Sequence, residues 1–305
     1  DEPGQHELRQ SLLGNAQDFY ERLVQDRPDD PDLQYEMGLA WHRLGEINND
    51  LGEFDAATEA FSNAIEIQSE LSGLNPGNPR MRRQLAETHD SLGENYRTLQ
   101  KNLEAESQYN LALALLNDLT QKDDQNRIYH VQQGRSLNNL GLVYYQTNRG
   151  DEAHAAFSQV ITDLTKLPLK DDTRLQLARA SLNRGRINTS KTESADARLQ
   201  DARADYERAI SLLVELRATS PRKASYRLDL CKAHVGLGNL LVRDRDNRDL
   251  RKAEHHIQIS VGLADELVTD FIQVNEYRRE RDNTLNSLAA VYYYDKKYAE
   301  AAKAW

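Results

Sequence analysis

The chain has 305 residues, a formal net charge of −10, 29% charged residues, 15 glycines and seven prolines. This composition suits long, solvent-exposed helices better than sheets, and its acidity disfavours a nucleic-acid-binding protein, which needs a basic surface. Mean hydropathy is −0.78, and no apolar run approaches the ~18–20 residues that a membrane-spanning helix needs. The only cysteine, Cys231, excludes an internal disulfide and a cysteine-based zinc site.

The charge is unevenly distributed along the chain. Residues 1–79 contain 17 acidic and four basic residues, whereas residues 80–305 contain 32 acidic and 35 basic residues. The acidic first quarter fits either a solvated end or one side of a polarised binding surface. Because the chain begins at Asp1 without a methionine or a signal-peptide pattern, we expect it to be a segment of a longer protein.

The first 31 residues predict a tail followed by part of a helical repeat. Residues 1–7 contain an early proline and glycine and are expected to form a tail or linker. Residues 8–31 carry apolar side chains at helical spacing, which predicts the second helix of a partial unit. Pro28 and Pro31 are expected to separate this helix from the next one.

From Trp41 onwards a glycine anchor returns at nearly constant intervals. The anchor Gly45 and its equivalents are separated by 48, 48, 44, 53 and 51 residues, and the later ones are Gly93, Gly141, Gly185, Gly238 and Ala289. A leucine precedes each anchor except Gly185, which follows Arg184. This spacing predicts full units at about 32–79, 80–127, 128–171, 172–223 and 224–274, and a truncated unit at 275–305.

A small residue and then a large apolar residue follow each anchor. In most units they stand 12 and 16 positions after it, as in Ala57 and Phe61, Ala105 and Tyr109, Ala153 and Phe157, and Ala301 and Trp305. The fourth and fifth units carry Ala202 and Tyr206, and Ala253 and Ile257, after short insertions. Helices that approach to ~8–10 Å need small side chains opposite large ones. Each unit is therefore predicted to be a helix pair that buries its apolar stripe by stacking on its neighbours.

This pattern resembles the tetratricopeptide repeat, whose skeleton is W-x2-L-G-x2-Y followed by A-x3-F. Trp41, Leu44 and Gly45 match the opening of that skeleton. The units here are 44–53 residues apart, whereas a standard repeat has about 34 residues, so both helices are expected to be longer at their far ends. The predicted fold is an all-α, right-handed superhelical solenoid of about five to six long helix-turn-helix repeats.

The beginning of the chain has a second resemblance. Glu2-Pro3-Gly4, Leu8-Arg9, Leu12-Leu13, Ala16 and Phe19-Tyr20, followed by D-D-P at residues 29–31, resemble the C-terminal arm of large bacterial serine/threonine protein kinases. That resemblance implies a kinase domain, and usually a membrane segment, ahead of the repeats. The segment itself contains neither H-R-D nor D-F-G, so we expect it to lack kinase activity.

Motifs for a metal or a cofactor are weak, and we predict neither. Gly236 and Gly238 form a G-x-G, but they lie in a helical repeat without a preceding strand, which favours a packing role. His255 and His256 are adjacent and point about 100° apart on a helix, so they are poorly placed to share a metal ion.

The exposed positions of the first helices predict a groove for a protein or peptide partner. First helices line the concave face of such a solenoid. Arginine and lysine would attract an acidic or phosphorylated peptide, while asparagine amides would hold its backbone. The groove is expected to be acidic at one end and basic from Arg135 onwards. The predicted residues are His42, Glu46, Asn49, Asp50, Asp90, Glu94, Arg97, Arg135, Asn138, Tyr145, Arg179, Arg186, Lys232, Asn239 and Arg243.

Three alternatives to a peptide groove stay open. The first-helix faces could be polar only because they are solvated. The array could be a structural spacer that self-associates through its C-terminal end, where Trp305 is a large apolar residue. An enzyme built from Glu46, Asp90 and Glu94 is a third alternative, which no acid–base motif supports.

Overall fold

The computed structural model describes residues 30–190, 196–244, 248–272 and 274–304. Within these ranges the chain folds into twelve helices and contains no strand. In chain order they are α1 (Pro31–Leu51), α2 (Phe54–Leu74), α3 (Pro79–Thr98), α4 (Asn102–Lys122), α5 (Arg127–Gln146), α6 (Gly150–Leu164), α7 (Asp171–Ser190), α8 (Asp196–Thr219), α9 (Ala224–Arg243), α10 (Leu250–Asp270), α11 (Asn275–Tyr294) and α12 (Tyr298–Ala304). The predicted tail, most of the partial unit at 8–31 and Trp305 lie outside the described residues, so self-association through Trp305 stays a prediction.

The helices form two compact units, Asp1–Arg149 and Gly150–Trp305, called unit 1 and unit 2 below. In unit 1, α1 packs on α2 and α3 packs on α4, while the first helices α1, α3 and α5 also contact one another in sequence. In unit 2 the same arrangement joins α7 to α8, α9 to α10 and α11 to α12, with α7, α9 and α11 as the adjacent first helices. The predicted fold class, an all-α solenoid of helix-turn-helix repeats, is confirmed.

The anchor glycines of unit 1 allow close helix contact, as the repeat pattern predicts. A Cβ atom at Gly45 would lie 2.6 Å from a ring carbon of Phe61, and one at Gly93 would lie 2.8 Å from a ring carbon of Tyr109. Both rings are fully buried. Because these distances are shorter than a van der Waals contact, only glycine permits this spacing between the paired helices.

In unit 2 the glycines of α9 have the same role. A Cβ atom at Gly236 would lie 2.4 Å from a ring carbon of Tyr206, and one at Gly238 would lie 2.5 Å from a side-chain carbon of Ile257. Both glycines lie inside the helix. The packing interpretation of this G-x-G is therefore confirmed.

A left-handed residue seven positions after the anchor ends several first helices. The φ angle is 80° at Gly52, 60° at Gln100, 64° at Asn148 and 60° at Lys296. The N–H of the following residue donates to the carbonyl oxygen five residues earlier, at 2.8 Å for Glu53 and at 2.9 Å, 2.8 Å and 2.9 Å for Lys101, Arg149 and Lys297. These bonds satisfy carbonyl groups at the helix ends and produce a short, uniform turn.

The one anchor without a preceding leucine has a compensating ion pair. Arg184 of α7 donates from Nε to Oδ2 of Asp205 at 2.8 Å and from Nη2 to Oδ1 at 2.6 Å. Asp205, on α8, is 3% exposed. A bidentate ion pair therefore occurs where the other repeats carry a leucine.

No helix in the described ranges has both the length and the hydropathy to cross a membrane.

Candidate functional site

All fifteen predicted groove residues lie on first helices. The side chains of α1, α3 and α5 define what we call the unit 1 face, and those of α7, α9 and α11 define the unit 2 face. In unit 1, α1 carries His42, Glu46, Asn49 and Asp50, α3 carries Asp90, Glu94 and Arg97, and α5 carries Arg135, Asn138 and Tyr145. In unit 2, α7 carries Arg179 and Arg186, and α9 carries Lys232, Asn239 and Arg243.

Twelve of these residues are at least partly accessible, and three are not. The exposed ones are Glu46, Asp50, Glu94, Arg186 and Arg243, and the half-buried ones are Asn49, Arg97, Arg135, Tyr145, Arg179, Lys232 and Asn239. The prediction of an exposed position is wrong for His42, Asp90 and Asn138, which are 5%, 3% and 3% exposed. All three stand three residues before an anchor glycine. That position is turned toward neighbouring helices of the stack.

His42 belongs to a buried hydrogen-bond network that joins three helices. Its Nδ1 lies 3.0 Å from the hydroxyl oxygen of Thr88 on α3. The hydroxyl group of Thr88 donates to Oε1 of Gln68 at 2.7 Å. Gln68, on α2, donates from Nε2 to the carbonyl oxygen of Gly38 at 3.2 Å. Because each member is buried, the network satisfies polar groups inside the stack, and His42 is a structural residue.

Arg135 lies among carboxylates. Its Nε is 2.9 Å from Oδ2 of Asp90, and its Nη2 is 3.6 Å from Oε1 of Glu87. Burial raises the pKa of Asp90, an effect that the charge of Arg135 opposes. A hydrogen bond from His42, and then the charges of His42 and Arg135, lower the pKa of Glu46. Arg135 therefore neutralises part of an acidic cluster, and the expected basic stretch does not begin there.

On the unit 2 face, polar side chains join adjacent first helices. Nε of Arg179 lies 2.8 Å from Oδ2 of Asp229, which connects α7 to α9. Nζ of Lys232 lies 3.1 Å from Oε1 of Glu276, which connects α9 to α11. These contacts lie at the partly exposed edge of the helices, and they form a ladder of charged pairs along the face.

Near the C-terminal ends of α7 and α9, several polar side chains of the unit 2 face have neutral hydrogen-bond partners. Nδ2 of Asn239 donates to the hydroxyl oxygen of Ser287 at 3.2 Å. Nη1 of Arg243 donates to the carbonyl oxygen of Thr189 at 3.2 Å. Arg186 donates to Oδ1 of Asn183 at 3.3 Å. Two exposed arginines thus stand on α7 and α9 at a part of the face that is rich in amide, hydroxyl and carbonyl groups.

Glu280 of α11 brings a further carboxylate to this face. Burial raises the pKa of Glu280, and the positive charges of Lys232 and Arg186 oppose that effect. Both cations are therefore close enough to act on this carboxylate, although they lie on two different helices.

The sequence-based selection missed several residues of the unit 2 face. They are Asp229, Glu276, Glu280 and Ser287. Asp229 precedes Lys232 by three residues, and Glu276 precedes Glu280 by four, so each pair shares one side of its helix. Extending the chosen stripe by one helical turn toward the N-terminus would have included Asp229 and Glu280, and a second turn would have included Glu276.

A histidine cluster occurs in unit 2, away from the predicted groove residues. Nδ1 of His234 lies 3.0 Å from Nδ1 of His256, and His255 is exposed beside them. Within the described ranges no group of three or more histidine, cysteine, aspartate or glutamate residues is arranged to hold a metal ion.

Acidification is expected to destabilise unit 2 through His234. Burial, together with the charges of His256 and His255, lowers the pKa of His234 to about 4. Because this value is below the unfolded value of about 6.5, the unfolded chain takes up a proton first as the pH falls. Between about pH 7 and about pH 5 this residue should therefore remove about 2 kcal/mol from the free energy of unfolding.

The measurement is urea denaturation at both pH values. The variant His234→Gln should show a smaller loss of stability on acidification than the unaltered chain, whereas His255→Gln, which removes only the smallest of the three causes, should retain most of the loss. An unchanged pH dependence in His234→Gln would show that this residue is not responsible.

The paired helices and their glycine-to-ring contacts define a helical repeat protein of the solenoid class. Residues 39–71 and residues 134–167 each match a family model of the tetratricopeptide repeat. These two stretches are therefore tetratricopeptide repeats, as the sequence pattern predicts. No curated protein sequence gave a significant match.

Solved structures with similar folds include several bacterial proteins. The structure of BtubC (BKLC) from P. vanneervenii aligns with a TM-score of 0.62 at 16% identity, over 90% of this chain and 95% of that one. The apo form of RapI aligns with a TM-score of 0.56 at 13% identity, over 88% and 94% of the two chains. The Rap conjugation gene regulator of the plasmid pLS20, solved in complex with the Phr* peptide, aligns with a TM-score of 0.51 at 14% identity, over 89% and 73%. At these identities the similarity shows a shared fold.

Proposed function

We propose that this chain is a non-catalytic protein-interaction module that binds a peptide or a partner protein on its first-helix faces. The observation that carries the proposal is the unit 2 face, where adjacent first helices meet through partly exposed polar side chains such as Lys232 with Glu276 and Asn239 with Ser287. Such a surface offers hydrogen-bond donors and acceptors to a peptide backbone. A regulator of the same fold, solved with the Phr* peptide bound, supports this use of the architecture.

The unit 2 face is proposed to bind an acidic or phosphorylated segment. Arg186 and Arg243 are both exposed. Arg243 donates to the carbonyl oxygen of Thr189, and Arg186 donates to Asn183 and also acts on the carboxylate of Glu280. A guanidinium group gains more from a carboxylate or a phosphate than from a neutral oxygen. An anionic ligand is therefore expected to draw both arginines into charge-assisted hydrogen bonds.

The test is the double variant Arg186→Glu with Arg243→Glu. Fluorescence anisotropy would measure the binding of labelled peptide pools that contain glutamate, phosphoserine or serine at a central position between randomised residues. Reversing both charges should weaken binding of the glutamate and phosphoserine pools at least about tenfold, because charge-assisted hydrogen bonds are each worth ~1.5–3 kcal/mol. The serine pool should be less affected.

A matched control keeps the same change in net charge but places it on second helices. Arg208 and Arg251 are exposed on α8 and α10, so Arg208→Glu with Arg251→Glu should retain peptide binding. An equal loss of peptide binding in both double variants would show that only net charge matters, and it would contradict binding at the unit 2 face. Absence of binding of every pool to the unaltered chain would contradict the proposal as a whole.

The resemblance of residues 2–31 to the arm of bacterial serine/threonine kinases extends this proposal. The array would then recruit a substrate or sense a ligand for a kinase domain in the same polypeptide. A kinase domain encoded upstream of Asp1 in the same reading frame is the expected finding, and an unrelated upstream sequence would remove this extension.

A further inference from the structure

A regular feature of both faces is that basic residues six positions before an anchor lie opposite a carboxylate on an adjacent first helix. This arrangement occurs on α5 in unit 1 and on α7 and α9 in unit 2. The pairs are Arg135 with Asp90 at 2.9 Å, Arg179 with Asp229 at 2.8 Å, and Lys232 with Glu276 at 3.1 Å. The positive charges of these three residues are thus already engaged by carboxylates of the protein itself.

Competition between a ligand carboxylate and a carboxylate of the protein is clearest at Lys232, because its partner Glu276 is accessible. The side chain of Lys232 is 32% exposed and that of Glu276 is 60% exposed. A ligand carboxylate that reaches Lys232 competes with Glu276 for the same ammonium group, so it gains less than it would from an unpaired lysine. Exposed pairs of this kind are each worth only ~0.2–1 kcal/mol, which leaves little net gain from a single ligand charge.

Glu280 acts on the same part of the face. It is half-buried and lies one helical turn after Glu276 on α11, so it shares the side of that helix that meets Lys232. Burial raises the pKa of its carboxyl group, and the positive charges of Lys232 and Arg186 oppose that effect. A ligand carboxylate would meet repulsion from Glu280 while it competes for the same cations. A segment with several adjacent acidic groups gains more, because it can also engage Arg243 farther along α9.

We infer that Glu276 and Glu280 are specificity-determining residues of the unit 2 face, where they act as internal competitors that restrict binding to segments with clustered negative charge. This inference rests on the proposed function, since it concerns the ligand of the same face. If the face were polar only because it is solvated, the two glutamates would have no effect on which peptides bind.

The test uses the full chain and the double variant Glu276→Gln with Glu280→Gln, which preserves side-chain size. Labelled peptide pools with randomised flanks would carry either one glutamate or three consecutive glutamates at the centre. The unaltered chain should bind the three-glutamate pool more tightly. In the variant the one-glutamate pool should gain about three- to tenfold in affinity, and the preference for clustered charge should shrink.

The control variant is Glu207→Gln with Glu300→Gln, which removes two exposed charges from second helices. It should retain the preference of the unaltered chain. Equal affinities of the Glu276→Gln/Glu280→Gln variant and the unaltered chain, or an equal gain in the control, would overturn the inference. If peptides bind and depend on Arg186 and Arg243 but not on the two glutamates, only this inference fails. If no pool binds the unaltered chain, the proposed function fails with it.

Discussion

Replacing Arg184 with leucine is expected to lower the free energy of unfolding by about 3–5 kcal/mol, although leucine is the residue that the repeat pattern favours there. The reason is Asp205, which is 3% exposed and accepts two hydrogen bonds from Arg184. Without the arginine, a buried carboxylate has lost its counter-charge, and that loss costs far more than one additional apolar contact returns. Urea denaturation followed by circular dichroism would measure the change.

The double variant Arg184→Leu with Asp205→Ala should recover most of the lost stability. Alanine is the residue that directly precedes the aromatic residue in two other repeats, at Ala60 and Ala156. Together with leucine it would give this repeat the apolar residues that stand at the same positions in those two repeats, and replacing a buried ion pair by apolar residues is often neutral or stabilising. A double variant that is as unstable as Arg184→Leu alone would show that the unpaired carboxylate is not the cause.

Substituting Gly236 with valine is expected to cost about 3 kcal/mol, at the upper end of the range for overpacking. The ring of Tyr206 lies against this position, where even a Cβ atom would come within 2.4 Å. A second glycine, Gly185, lies on the other helix that meets this ring, with a Cβ distance of 3.2 Å, so the ring has little room to move away. Tyr206 is 2% exposed, and the clash must therefore separate packed helices.

Gly262 provides the matched control, since it also lies inside a helix of unit 2, but a Cβ atom added there would meet no atom within 4 Å. Gly262→Val should change stability by no more than ~0.5 kcal/mol, because valine is slightly better than glycine in a helix and meets no neighbour. Comparable destabilisation by both substitutions would mean that valine in a helix, rather than the contact with Tyr206, is responsible.

The repeat architecture could be predicted from the sequence because it depends on local spacing. A small residue and an aromatic at fixed distances after a glycine are sufficient to place two helices against each other, as Gly45 with Phe61 and Gly93 with Tyr109 show. The left-handed residue at the turn between paired helices was harder to predict. Gly52 signals a left-handed conformation, but Gln100 and Lys296 adopt the same conformation without any such signal, because the packing of the paired helices imposes it.

The sequence by itself determined the helix pairs, their order and the side of each first helix that is polar, since these follow from helical periodicity and residue size. Only the tertiary structure decided which polar residues are accessible and which are paired. His42 is buried through Thr88, 46 residues away, and Arg179 meets Asp229, 50 residues away. Such partners depend on how successive helix pairs stack, and the burial of a polar residue depends on neighbours that its own helix does not contain.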